Sequence, residues 1–202
     1  MKRLITWSFA TALLLAASQA NAQAPGGTTA TPGKSGAASD PNAPATIQQV
    51  HNINAKMIQI GKLAADRGTT PEVKQYGQKV AAEHQRLDSE LSQIAQKRGI
   101  QLRPAEQITS EQGHVASLQP VMSKSGIEFD RAIIDALVTE RENRVPELKR
   151  LRDQTPGSDA ELKGWVDKME VSMEKMRNEA RDVRQAVRQD QQQQQRQGRK
   201  PQ

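Results

Sequence analysis

Three histidines are the residues best suited to chemistry in this 202-residue chain, which has no cysteine and therefore no thiolate ligand, catalytic thiol or disulfide. A helical protein builds a metal centre by aiming Glu and His inward from facing helices, because hard cations need bridging carboxylates and terminal imidazoles. Only Glu111 and His114 have the Glu-x-x-His spacing, and one copy beside a glycine reads as a surface pair. His84 lies at an apolar position between Val80 and Leu87, with Glu83 next to it facing partly away. A lone inward histidine is more often a hydrogen-bonded core residue than a ligand, so Glu83 and His84 are the nearest approach to a metal pair and no metal or cofactor is assigned. Arg141 also falls on an apolar stripe. An unpaired buried guanidinium is costly, so Arg141 is expected to find a carboxylate or to emerge at the rim with only its alkyl stem buried. Met169, Met173 and Met176 recur at helical spacing, where methionine usually fills an irregular core rather than forming a soft-metal or partner-binding face.

Other chemistries lack their motifs. There is no glycine-rich phosphate loop, no Gly-x-Ser-x-Gly elbow and no His-Glu-x-x-His. Nucleic-acid binding wants basic residues interleaved with aromatics, and aromatics are 2% of the chain.

The elements that would position these residues are helices. Ile47, Val50, Asn54, Met57, Gly61 and Ala64 follow a three-and-four spacing that ends near Gly68. Thr70-Pro71-Glu72 supplies an N-cap, a first-turn proline and an acid, and Val73, Tyr76, Val80, His84, Leu87, Leu91 and Ile94 continue a second stripe to a cap at Gly99. A shorter amphipathic piece over about 107–123 is interrupted by Gly113 and Pro120. Ser125-Gly126-Ile127-Glu128 has the form of a capping box ahead of a third long stripe to about Arg152, with a kink expected at Pro146. Ser158-Asp159-Ala160-Glu161 repeats that pattern before a fourth stripe, Leu162 to Val187, at near-heptad, coiled-coil-like spacing. Strand alternation is absent. The reading is an all-α antiparallel four-helix bundle over residues 46–187, with a short additional helix between the second and third long ones.

The ends of the chain differ in composition from this body. Residues 1–22 carry Lys2 and Arg3, an apolar run and Ala20-Asn21-Ala22, the arrangement of a cleavable signal peptide. The apolar run is too short to span a bilayer, so a periplasmic protein without a transmembrane segment after processing is expected. Residues 23–45, rich in Pro, Gly and Ala, read as a disordered linker, and the Gln/Arg-rich residues 188–202 as a disordered tail. The formal charge of +6 is concentrated near the C-terminus, where Arg181, Arg184, Arg188, Arg196, Arg199 and Lys200 face only Asp182 and Asp190. That end is a candidate for contact with anionic lipid or polymer.

Several segments taken together resemble a known family: Ile60-Gly61-Lys62-Leu63-Ala64, Pro71-Glu72-Val73-Lys74-Gln75-Tyr76, Ala82-Glu83-His84, Ser125 to Arg131, and Leu162-Lys163. Over about residues 46–187 they are similar, in order and spacing, to the exported bacterial family known as domain of unknown function 4142. The resemblance implies a ferritin-like four-helix bundle. It also implies inward ligand positions that fall here on Met57, Glu83-His84, Arg141 and Met176, so most ligands are replaced and one has become a positive charge. The expectation is a non-catalytic exported bundle that binds an unknown protein or envelope component, in envelope maintenance, stress or a holdase role. The alternative is a ferritin-like metal-binding or redox protein using His84, Glu83 and further acids, of which Glu142 and Glu170 are nearest.

Overall fold

A computed structural model describes residues 41–198, and among these every regular element is a helix, as the spacing of apolar residues predicts. The long helices are α1 (Ala43–Arg67), α2 (Pro71–Lys97), α5 (Gly126–Gln154) and α6 (Ala160–Gly198), with α3 (Ala105–Thr109) and α4 (Gln112–Met122) between the second and third. The expected signal peptide and most of the expected linker lie outside the described residues, as do the last four residues of the tail. Among the described residues no helix is long and apolar enough to cross a membrane.

Contacts between the long helices run in opposite sequence directions, so each packs antiparallel to its neighbours. Gly61 opposes Gly77 on α1 and α2. Lys79 meets Glu179 and Lys97 meets Glu161 on α2 and α6. Arg152 meets Glu170 and Arg181 meets Glu142 on α5 and α6. Gln49 bonds Glu147, and Arg67 lies over Phe129, on α1 and α5. The four therefore form a bundle in the cyclic order α1, α2, α6, α5, with its interior lined by residues such as Ile47, Leu87, Ile134 and Val166.

Because α2 and α5 run the same way, the chain must cross the length of the bundle between them. Residues 98–125 make that crossing beside α1: Arg103 reaches His51, Glu111 reaches Lys56, His114 reaches Gln59 and Met122 reaches Arg67. The expected single piece over 107–123 is two helices, broken at Ser110-Glu111 rather than at Gly113 or Pro120. There the Thr109 and Ser110 hydroxyls donate to the carbonyls of Ala105 and Gln107, competing with the helical backbone pattern.

The α1–α2 pair is tight because glycine sits at its closest approach. A Cβ on Gly77 would lie 2.5 Å from the Ala65 nitrogen and 2.7 Å from the Gly61 carbonyl oxygen, so only glycine fits. The turn at the end of this pair is held from another helix. The fully buried Asp130 of α5 accepts the backbone N–H groups of Thr69 (2.7 Å) and Thr70 (2.8 Å), two donors at the start of α2 that the helix itself leaves open. Thr70 occupies the N-cap as expected, but its hydroxyl does not cap.

Three expected boundaries are corrected. Helix α1 begins at Ala43, inside the segment read as linker, because Pro44 is tolerated in a first turn and Ala43 is buried in the core. Asp159, rather than Ser158, caps α6 by accepting the Leu162 N–H, and it also pairs with Arg98 at the end of α2. Helix α6 continues through residues 188–198, which composition marked as disordered. There Val187 is buried, Gln191 donates to Glu128 and Arg188 approaches Asp135, so α5 supplies partners that composition cannot show.

Candidate functional site: a buried polar network

The polar residues inside the bundle begin with His84, which is wholly buried on α2. Its Nδ1 lies 3.0 Å from Asn54 Oδ1 on α1, and Asn54 Nδ2 donates to Asp88 Oδ1 at 3.2 Å. A carboxylate only accepts, so Asp88 orients the Asn54 amide with its oxygen toward the imidazole, and His84 Nδ1 must carry the proton. Nε2 is left as a bare lone pair, and no described group bonds it. Burial, reinforced by the nearby Arg141 charge and opposed by Glu83, pushes His84 down to about 3, so the ring is neutral.

Asp88 serves a second histidine. His51 Nδ1 is 2.8 Å from Asp88 Oδ1, and His51 Nε2 is 2.9 Å from the Arg103 carbonyl oxygen. Both partners are acceptors, so the doubly protonated ring satisfies both bonds. The hydrogen bond to Asp88 is the main cause of a pKa raised above 6.5, with burial opposing it. One carboxylate thus supports a cationic His51 and, through Asn54, a neutral His84.

Arg141 of α5 is also fully buried, which corrects the expectation of a rim position. It has found no carboxylate. Nη1 donates to the Leu137 carbonyl at 3.0 Å, Nη2 lies 3.9 Å from Met176 Sδ, the guanidinium carbon is 5.5 Å from the centre of the Tyr76 ring, and Nε has no partner. Polarisable sulfur and an aromatic face replace the counter-ion. Burial lowers the Arg141 pKa, yet guanidinium stays charged at any ordinary pH. Tyr76 is fixed by donating to the Met176 carbonyl at 2.6 Å, and burial pushes its phenol up to about 12.

The other sequence candidates are not brought into this network. Glu83 turns toward α6 and accepts from Arg86 (2.7 and 3.0 Å) and Ser172 (2.7 Å). Chiefly through the Arg86 bond, its carboxyl is held down at about 2. Glu111 pairs with Lys56 and Arg103 rather than with His114, and His114 is buried against Gln59 instead of lying on the surface. Glu142 bonds Arg181, while Glu170 bonds Arg152 and faces Lys149. Met57, Met169, Met173 and Met176 are all buried in the core.

These residues do not fit a metal ion. Among the described residues no three His, Asp or Glu side chains converge on a common point. His84 Nε2, a buried imidazole nitrogen without a hydrogen-bond partner, shares the interior with a permanent cation, while Glu83 and Glu170 are held by arginines and Asp88 by His51 and Asn54. Sequence reasoning missed His51 and Asp88. A signal was available in two polar pairs one helical turn apart, His51 with Asn54 and His84 with Asp88, on helices adjacent in the chain.

Fold and site together define an all-α helical bundle whose interior holds a chain of hydrogen bonds through His51, Asp88, Asn54 and His84 and, apart from it, the buried guanidinium of Arg141. The chain belongs to the family described as Domain of unknown function (DUF4142), whose model matches residues 28–183. That match reaches further into the N-terminal segment than the resemblance over 46–187 implied. No curated protein and no solved structure matches the chain.

Proposed function

We propose that the protein is an exported, non-catalytic bundle that acts by binding a partner in the bacterial cell envelope. The observation that carries this reading is the buried guanidinium of Arg141: the interior already contains its own cation, solvated by Tyr76, Met176 and a carbonyl oxygen. A positively charged cofactor beside it would meet repulsion, with no set of three His, Asp or Glu side chains among the described residues to hold it. The topology fits a ferritin-like bundle, with one long crossover between the second and third long helices, but its donor set fits binding better than metal chemistry. A narrower form is a holdase. It is supported by Val115 and Met122, two large hydrophobic side chains left exposed on α4, which line a shallow groove with Leu63 and Leu118.

Elemental analysis of untagged protein from a periplasmic extract, beside a His84→Ala variant, tests the reading. Less than about a tenth of an equivalent of transition metal in both samples is expected, and near-stoichiometric metal that vanishes in the variant would overturn it. For the holdase form, substoichiometric protein is expected to delay aggregation of an unfolding client; no delay over a tenfold concentration range removes that form.

A further inference from the structure

The seam between α5 and α6 is made of opposite charges, and most of its pairs close. Arg181 donates to Glu142 at 2.7 Å and Arg152 to Glu170 at 2.7 Å. Around Asp135 the pattern changes. Arg131, Arg184 and Arg188 approach this one carboxylate at 3.9, 3.9 and 3.8 Å, and none of the three side chains makes a hydrogen bond to a described residue. One carboxylate neutralises one guanidinium, so the cluster keeps an excess of positive charge. All four side chains are partly exposed, with Arg188 at 53% and Arg131 at 49%. The excess also extends along α6: at about 100° per residue, Arg177, Arg181, Arg184 and Arg188 fall within roughly 60° of arc on one flank of the helix.

We propose that Arg131, Arg184 and Arg188 form a docking surface for the phosphate headgroups of an anionic lipid bilayer. The proposal rests on the binding reading above and names its partner. Guanidinium groups present planar pairs of donors that match phosphate oxygens, and these three have their donors uncommitted. Their setting favours a plane of anions over a single ion, because they stand on two long helices and are partly exposed along them. Composition placed basic character in a disordered tail. In the structure Arg188 is ordered on helix α6 with Arg181 and Arg184, and Arg131 joins them from residues far earlier in the chain.

The test is flotation of the mature full chain with vesicles of phosphatidylcholine alone and with about a third phosphatidylglycerol, at low and at moderate salt. Binding to the anionic vesicles only, weakened by salt, is expected. The combined Arg131→Gln, Arg184→Gln, Arg188→Gln variant should lose at least about tenfold in affinity. Removing three exposed cations elsewhere, by Lys62→Gln, Lys74→Gln and Lys175→Gln, should change it less than about threefold. Asp135→Asn should bind more tightly, a gain that misfolding cannot imitate. Equal losses in both triple variants, or no salt-dependent binding, would overturn the proposal. Binding to soluble polyphosphate without binding to vesicles would overturn the lipid assignment. The aggregation assay separates this proposal from the holdase form: wild-type protein that binds the anionic vesicles but delays no aggregation counts against that form alone, and protein that delays aggregation without binding vesicles overturns this proposal alone.

Discussion

Asp88 Oδ1 lies 2.8 Å from His51 Nδ1 and is also the oxygen that orients the Asn54 amide toward His84. A single carboxylate on α2 therefore holds a protonated His51 and, through Asn54, sets which nitrogen of the neutral His84 ring carries the proton. Because His51 also bonds the Arg103 carbonyl, it ties the start of the crossover to the α1–α2 pair.

The His51 pKa is raised on folding, so its contribution to stability is complete below about pH 6.5 and is lost as pH rises through the higher folded value. His51→Gln is expected to cost about 1–2 kcal/mol near pH 5.5. The difference from wild type should shrink steadily toward pH 9. Urea denaturation of both proteins across that range measures it, and a difference that grows with pH would contradict the cationic ring.

His84 behaves in the opposite sense. Its pKa is lowered to about 3, so the neutral ring stabilises the fold above about pH 6.5, and that stability is lost as pH falls toward 3, at about 1.4 kcal/mol per unit. Nitrogen-15 NMR of the imidazole should show the Nδ1–H tautomer, still neutral at pH 5. An Nε2–H tautomer would mean that Asn54 is oriented the other way round.

Replacing Arg141 separates volume from charge. Arg141→Ala should cost about 3 kcal/mol or more through the cavity it opens. Arg141→Met fills most of that volume, removes a buried charge that has no carboxylate partner, and should be neutral or stabilising by about 1–3 kcal/mol. It should also raise the His84 pKa, since the guanidinium is the second cause of its depression. Thermal unfolding together with histidine NMR checks both, and a loss of several kcal/mol in the methionine variant would show that Arg141 is a net stabilising group.

Asp130→Ala should cost about 1–3 kcal/mol, because it removes the buried acceptor of two backbone donors at the start of α2. Asn in its place can accept one of the two bonds and should recover part of the loss. Hydrogen exchange localises the effect: the amides of Thr69 and Thr70 should lose protection first in both variants.

Gly77→Ala introduces a methyl against backbone on both sides of the α1–α2 contact. The expected cost is about 1–3 kcal/mol, read from the denaturation midpoint, whereas Gly164→Ala, with open space around it and a helical backbone, should be neutral or stabilising.

The positions and class of the long helices were legible in the sequence, because a stripe such as Val73, Tyr76, Val80, His84 and Leu87 is a property of neighbours within a turn or two. That His84 lies inside followed from the same stripe, whereas Arg141, on a stripe as well, was expected at the rim and is buried. What each buried polar group touches was decided only by tertiary structure. Asn54 meets His84 because Gly61 and Gly77 let α1 and α2 close in one register, and Asp130 caps a turn some sixty residues away. Arg141 stays buried because α2 and α6 bring Tyr76 and Met176 to its head. Helix α6 outruns its compositional limit because α5 offers Glu128 and Asp135 along it. Periodicity encodes which side of a helix is buried; the partners of a charge come from other helices, and no local pattern carries their identity.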